Sequence, residues 1–337
     1  MTDLKKNKSL RKLNTFGLNV HADWYWEISS PESLMKLAKQ EKINTLPQLL
    51  LGEGSNILFT EDFKGLVIRP AMKGIQVLED NGEELLVRVG AAENWDGWVS
   101  YASGQGWFGL ENLSLIPGSV GSAPVQNIGA YGVELKDRFA WLEAWDLEKQ
   151  KMVKLDQKAC KFSYRNSLFK HEARKRYIIT HVCFRLSRTP ELVLDYGQIR
   201  SAFAEAKGRT PADLRNLIIH IRNSKLPDPE RFGNGGSFFK NPVVGRAIFN
   251  CLRVEYPHVP NYPDKENRVK VPAAWLIEKA GWKNKRIGNV GTWPTQALVI
   301  VNYGGATGRE IYDFSEQIKE EVDWKFGISL EREVQVV

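Results

Sequence analysis

Three glycine-rich segments hold the residue types that could do chemistry. Gly52-Glu53-Gly54-Ser55-Asn56 follows an apolar run, and glycines there let backbone N–H groups come close to a phosphate. It is not a Rossmann fingerprint, because the third glycine position is Ile57 and no clean helix follows. A tight turn and a ligand loop both fit these five residues. The second segment runs from Pro117 to Gly132. Its Gly118, Ser119, Gly121, Ser122, Gly129, Ala130, Tyr131 and Gly132 belong to a segment whose small residues and backbone donors could cradle a pyrophosphate without a charged side chain, while Gln126 and Asn127 offer side-chain hydrogen bonds. So long a loop is rarely only a connector, which favours ligand binding. The third segment, Gly233 to Pro242, holds Ser237 on a glycine turn. It is not a hydrolase elbow, since Phe239 stands where that motif has glycine. No Walker A lysine motif exists, and the histidines (His21, His171, His181, His220, His258) show no triad order and read as structural.

The elements that must position these residues follow from periodicity. Thr45 to Arg69 reads strand, glycine turn, strand, and Ile75 to Val89 reads as a hairpin about Asn81-Gly82. Asn94 to Ser103 is predicted helical, with Trp95, Trp98, Val99 and Ala102 as core residues. Strands are expected at Phe139 to Asp146 and Tyr177 to Leu186. A helix capped by Thr210, with Pro211 first and Leu214, Leu217, Ile218 and Ile221 on one face, ends before Pro227. Beyond it, helices are expected at Pro242 to Tyr256 and Pro272 to Ala280, then a strand from Ala297 to Asn302. Thr307 and Glu310 form a capping box for a helix with Ile311, Phe314, Ile318 and Val322 inward and Gly327 after its end. The tail ISLEREVQVV is predicted as a strand placing Ile328, Leu330, Val334 and Val336 on one face and Glu331 and Glu333 on the other.

Composition bounds the function classes. With 337 residues, 42% hydrophobic and 26% charged, the chain is a globular protein of two or three folding units, not a disordered or collagen-like one. Its longest aliphatic stretch, Ala297 to Val301, is far below the roughly 18 residues of a membrane helix. The basic N-terminus lacks a secretory apolar region, so a cytoplasmic location and no membrane partner are expected. Cys160, Cys183 and Cys251 suit neither a disulfide framework nor a zinc site; they are expected to be reduced core residues, with no metal bound. The net charge of +7 favours anionic partners such as phosphates, but no basic stripe or zinc-finger pattern argues for nucleic acid.

The blocks NTFG (Asn14 to Gly17), LGEGSN, GLENLSLIPGSVGSAPVQNIGAYG, FSYRNSLFK, KLPDP, GNGGSFFKNP, PNYPD and LEREV resemble, in order and spacing, the UDP-N-acetylenolpyruvoylglucosamine reductase family from about Asn14 to Val334. The resemblance implies an α+β fold: an FAD-binding part of the vanillyl-alcohol oxidase type, made of two α+β subdomains, plus a C-terminal α+β substrate-binding domain. That explains the missing Rossmann glycine. The implied boundaries are 14–70, completed by the C-terminal strand 326–337, for the first flavin subdomain, 71–225 for the second, and 226–325 for the substrate domain. The implied reaction is NADPH-dependent, FAD-mediated reduction of UDP-N-acetylglucosamine enolpyruvate to UDP-N-acetylmuramate, a step of peptidoglycan precursor synthesis, by a monomer. LDYGQI (Leu194 to Ile199) together with PNYPD is similar to the type that folds a tyrosine loop over the substrate. Val337 follows soon after LEREV, so family features beyond that strand are not expected.

Carried across by motif, the general-acid serine falls on Ser237, the active-site arginine on Arg165 and the C-terminal glutamate on Glu333. Tyr196 and Lys225 match substrate-binding positions, joined by Asn241 and Gln296. The resemblance further implies that FAD is held by the first two glycine segments. Reduction of the enolpyruvyl double bond pushes negative charge into the substrate carboxylate, which a fixed guanidinium stabilises by several kcal/mol. A neutral hydroxyl beside the basic carbon can then supply the proton. Glu333, if protonated, could donate to the charged species. Two rivals fit part of this pattern. A nucleotide-sugar binding protein would need no flavin. An FAD oxidase of the same fold often tethers its flavin through His or Cys, which the flavin loops here lack, so non-covalent FAD is expected.

Overall fold

The computed structural model describes residues 4–40, 45–171, 175–197, 199–264 and 267–337. The chain crosses between two compact units. One contains residues up to Lys8, His21–Glu53 and Phe63–Arg222; the other contains Ser9–Val20, Gly54–Asp62 and Asn223–Val337.

In the first unit, a four-stranded sheet orders Leu4–Ser9, His21–Ile28, Phe63–Pro70 and Gln48–Leu50, the last three mutually parallel. A five-stranded antiparallel sheet orders Lys151–Asp156, Phe139–Asp146, Tyr177–Ser187, Glu84–Gly90 and Ile75–Asp80. The hairpin forms where the Asn81-Gly82 pair predicts it, with Asn81 Oδ1 accepting from the Glu83 and Glu84 N–H groups. The helix Trp95–Gly104, capped by Asn94, buries Trp95 and Trp98 against Phe184 of the long sheet. A second core packs Trp26, Ile28, Leu66 and Ile68 with Trp145 and Ile178 and so joins the two sheets. The glycine-rich stretch after Gly104 is neither long helix nor long strand. It holds only the single-turn helices Glu111–Leu113 and Ala123–Gln126 and the two-residue strands Gly129–Ala130 and Val133–Glu134.

In the second unit, the antiparallel order is Gly233–Ser237, Gln296–Asn302, Val290–Trp293 and Arg286–Ile287. The helices Ala273–Lys279 and Gly308–Phe326 supply Leu276, Ile277, Ile311, Phe314, Ile318 and Val322 to its core. The Thr307–Glu310 capping box is present, and Gly327 caps the other end at φ 62°.

Three sequence expectations are corrected. The segment from Pro242 is not helical throughout: Val243–Gly245 pairs with Arg268–Lys270, and the helix is Arg246–Glu255. Two β-branched valines favour the strand, and Gly245 then serves as the helix N-cap. The tail is not a ten-residue strand. Ile328, Leu330 and Val334 are buried as the alternation requires, but only Gln335–Val336 is a strand, parallel to Ile57–Leu58. Period-two burial needs only an apolar wall on one side, whereas a strand also needs a neighbouring backbone along its length. Cys160 and Cys183 are buried, their thiols pushed up to about 12 by desolvation, but Cys251 is exposed on the helix Arg246–Glu255. No helix among the described residues is long and apolar enough to cross a membrane.

Candidate functional site

The predicted site residues divide between the units. In the first, Gly52 lies against the second glycine segment: a Cβ on it would fall 3.1 Å from Ser119 Oγ and 3.2 Å from Ser122 Cβ. The N–H groups of Ser119, Val120, Gly121 and Ser122 are already donated, to Ser122 Oγ and to the carbonyls of Glu93, Ala91 and Ser119. The segment is therefore a self-bonded scaffold, stitched to the helix start through Gly118 O, which accepts from Trp95 N–H. Among the described residues, no hydrogen bond satisfies the N–H groups of Gly52 and Glu53. Glu53 is neutralised by Arg69 at 2.8 Å. The hydroxyls of Ser119 and Ser122 are donated within the loop, to Ser122 Oγ and Ser119 O, so the two unbonded N–H groups of the glycine turn are the donors that fit a phosphate of a dinucleotide such as FAD.

Further along, Asn127 is fully buried at φ 44°, and its amide bonds Glu134 Oε2, Ser163 O and Lys136 N–H. Its side chain thus holds the loop together. The start of the small hairpin is built around Arg165, whose Nη2 donates to Gly129 O at 2.6 Å while Nη1 lies 2.9 Å from where a Gly129 Cβ would be. Gly129 is glycine because the guanidinium fills the space of a side chain. Arg165 sits in the tight Ser163–Asn166 turn at φ 51°, a left-handed conformation that costs a non-glycine residue energy of order 1 kcal/mol. Tyr131 meets the exposed Tyr196 edge-on at 5.8 Å, and Asn112 Nδ2 ties the two loops by donating to Tyr131 O and Val193 O, both at 2.9 Å. Gly132 faces the same Val193–Tyr196 loop.

Sequence reasoning missed Arg222. It lies on the helix Pro211–Lys225 next to Tyr131 and within electrostatic reach of Arg165 and Asp96. Burial draws its guanidinium below its ordinary pKa, against the pull of Tyr131 and Asp96, and its Nε is buried without a hydrogen-bond partner. Burial in turn raises the Tyr131 phenol despite that cation. Tyr131 and Asp96 supply part of what this half-buried guanidinium needs, and its Nε is the donor left over. The only signal in the sequence was an arginine three residues before Lys225, which any solvated helix could carry.

In the second unit, Ser237 ends the strand Gly233–Ser237 and is exposed. The pairing with Gln296–Asn302 slips between Asn234 and Ser237, where Gly236 at φ 70° makes a bulge held by Asn234 Oδ1 accepting from its N–H at 3.0 Å. The NTFG segment packs beneath: Thr15 Oγ1 donates to Asn234 O at 2.6 Å and Thr15 N–H to Gly54 O at 3.1 Å, and a Cβ on Gly233 would sit 2.4 Å from Phe16 O. Glu333 is pinned beside Ser237. Its N–H donates to Phe238 O at 2.8 Å, and its carbonyl accepts from Asn56 Nδ2 at 3.2 Å. Gly54, Ser55 and Asn56 thus belong with Glu333, while Gly52 and Glu53 belong to the other unit.

Lys225 is exposed at the helix end, its carbonyl held by Thr295 Oγ1. Gln296 begins the next strand and is half-buried. Asn241 Oδ1 accepts from Ala273 N–H at 2.9 Å, capping the helix Ala273–Lys279 and leaving its NH₂ as the group able to reach a ligand.

Comparison with known proteins accounts for both units. Residues 25–156 match the family model of an FAD binding domain, and residues 228–337 match the C-terminal domain of UDP-N-acetylenolpyruvoylglucosamine reductase. A UDP-N-acetylenolpyruvoylglucosamine reductase of Bacteroides fragilis is 43% identical over 334 residues, covering 99% of this chain and 100% of its own. One of Chromobacterium violaceum is 45% identical over 327 residues, covering 96% of each chain. The crystal structure of the enzyme from Thermus caldophilus shares the fold, with a TM-score of 0.69 at 22% identity over 99% of both chains. The chain belongs to the UDP-N-acetylenolpyruvoylglucosamine reductase family.

Proposed function

We propose that Arg165, Ser237 and Glu333 carry the reaction of this family: FAD-dependent reduction of the enolpyruvyl ether of UDP-N-acetylglucosamine to UDP-N-acetylmuramate, with NADPH as reductant. Full-length family membership and the FAD binding domain support the activity. The observation that supports the residue roles best is the backbone bonding that fixes Glu333 next to the exposed Ser237. Non-covalent FAD is held by Gly52, Ser119 and Ser122 of the glycine segments, on the scaffold that Asn127 maintains. What FAD supplies when bound is a two-electron relay, hydride in from NADPH and hydride out to the terminal enolpyruvyl carbon. The neighbouring carbon takes a proton, so the double bond is consumed by one hydride and one proton. Arg165 holds the substrate carboxylate, where charge accumulates. Ser237 donates the proton. Glu333 hydrogen-bonds the charged species, and the half-buried Arg222 adds positive potential.

Tyr196, Lys225, Asn241 and Gln296 bind the sugar nucleotide, with Tyr196 on a loop that covers it. Segments 14–70 with 326–337, and 71–225, serve the flavin, and 226–325 serves the nucleotide sugar. The protein acts in the cytoplasm as a monomer, without nucleic acid or membrane partners. Anaerobic stopped-flow absorbance tests the reading: NADPH bleaches the flavin, and the enolpyruvyl substrate restores its colour. Colour restored only by oxygen would make the protein an oxidase, and a colourless protein would make it a binding protein.

A further inference from the structure

We propose that Arg332 is a positioning residue for Glu333, fixing that carboxylate by clamping the tail onto the helix Gly308–Phe326; this rests on the reading of Glu333 as a catalytic residue. Arg332 is itself the partner of Phe239 in an isolated β-bridge, so it lies within the short stretch that binds the tail to the Ser237 segment. Its Nε donates to Ser315 Oγ at 3.0 Å, its Nη2 bonds Glu316 Oε1, and its guanidinium carbon lies 4.4 Å from the Tyr312 ring centroid. The receiving groups are themselves fixed. Ser315 is fully buried and donates its own proton to Tyr312 O, which leaves its oxygen to accept from Arg332. Glu316 is also held by Lys319 at 3.1 Å, and the two cations outweigh burial to keep its carboxyl below the usual range.

On the preceding residue, Glu331 pairs with Lys240, and Lys240 N–H donates to Glu331 O. Residues 331 and 332 are therefore anchored to two different elements immediately before Glu333. Backbone pairing here rests on a single bridge with the bonds from Lys240 N–H to Glu331 O and from Glu333 N–H to Phe238 O, so these side-chain anchors add the rigidity that a longer ladder would give. A guanidinium is suited to this because one rigid fork bonds two acceptors while its face covers a ring, which an ammonium cannot do. The mechanism asks for this rigidity, since displacement by about 1 Å of a group that contacts the reacting atoms can cost as much as 10²-fold in rate.

The test uses the FAD-loaded enzyme and two readouts. Arg332→Met should slow recovery of flavin colour by substrate about tenfold or more, leave bleaching by NADPH within about twofold, and speed backbone hydrogen exchange at residues 331–335 but not at 296–302. Arg332→Lys should restore only part of the rate. Glu333→Gln alone should be slower still, and adding Arg332→Met to it should cost nothing more, because residues acting through one group are not additive. If Arg332→Met does not fold, Glu316→Gln loosens the same clamp and should shift exchange and recovery in the same direction. A slow Glu333→Gln beside an Arg332→Met with wild-type recovery and exchange overturns the positioning role alone. A full multiplicative effect in the double variant, or equal slowing of both half-reactions, also overturns it. Wild-type recovery in Glu333→Gln overturns the role of Glu333, and the positioning role with it.

Discussion

Ser237 owes its position to its neighbours. Gly236 takes the left-handed turn, Asn234 closes it, and the bulge leaves the serine exposed at the strand end. If Ser237 is the proton donor, Ser237→Ala should leave bleaching by NADPH nearly intact and slow recovery by substrate roughly 10² to 10⁴-fold. Stopped-flow traces separate the two steps, and recovery within about threefold of wild type, worth only ~0.7 kcal/mol, would contradict the role. Sequence marked the polar residue types at this scale but not which of their atoms are spoken for. Asn127 and Asn241 look alike as ligand-binding amides in the sequence. In the structure one is fully engaged in its own loop and the other caps a helix through its oxygen.

Among the elements, Asp96 is a junction. From the first turn of Trp95–Gly104 it accepts a bidentate pair from Arg215 of Pro211–Lys225, at 2.5 and 2.8 Å, and the N–H of Leu115, which is held at φ 57°. Burial raises its carboxyl, but the Arg215 and Leu115 bonds win and hold it below the usual range. Because the folded pKa is depressed, this stabilisation is fully present above about pH 4 and is lost as pH falls through the folded value. Asp96→Asn should therefore cost about 2 kcal/mol at pH 7, and its deficit relative to wild type should shrink in urea melts taken progressively below pH 4. A deficit independent of pH would argue against the ion pair. Gly121 tests the flavin scaffold: a Cβ there would lie 2.5 Å from the Ala91 Cβ, and Gly121 N–H bonds Ala91 O, so the strand end and the loop must part. Gly121→Ala is expected to lower flavin retention at least tenfold, measured as FAD per protein after gel filtration. Gly52→Ala should do less, because its nearest neighbours, Ser119 Oγ at 3.1 Å and Ser122 Cβ at 3.2 Å, leave a milder clash than the 2.5 Å approach at Gly121.

At the scale of the molecule, the second unit is assembled from three stretches of chain. Phe16 is buried beneath Gly233 and Gly235 and meets Phe238 edge-on at 6.3 Å, and Asn302 Nδ2 donates to Phe16 O. A chain starting at residue 21 should therefore lose this unit's cooperative melt in circular dichroism, and an unchanged transition would show that the segment is dispensable. The sequence by itself determined the family, the hairpin, the capped helices and the glycine segments, because turn chemistry, capping and 3.6-residue periodicity are local. Tertiary structure alone decided how the GEGSN motif is shared, with Gly52 against Ser119 and Asn56 against Glu333. It also decided that side chains of Arg332 and Glu331 reinforce a short, broken backbone pairing of the tail, and that Arg222 Nε is shut away without a hydrogen-bond partner. Those outcomes depend on which distant backbone arrives alongside and which charges it shields from water, and no local pattern encodes either.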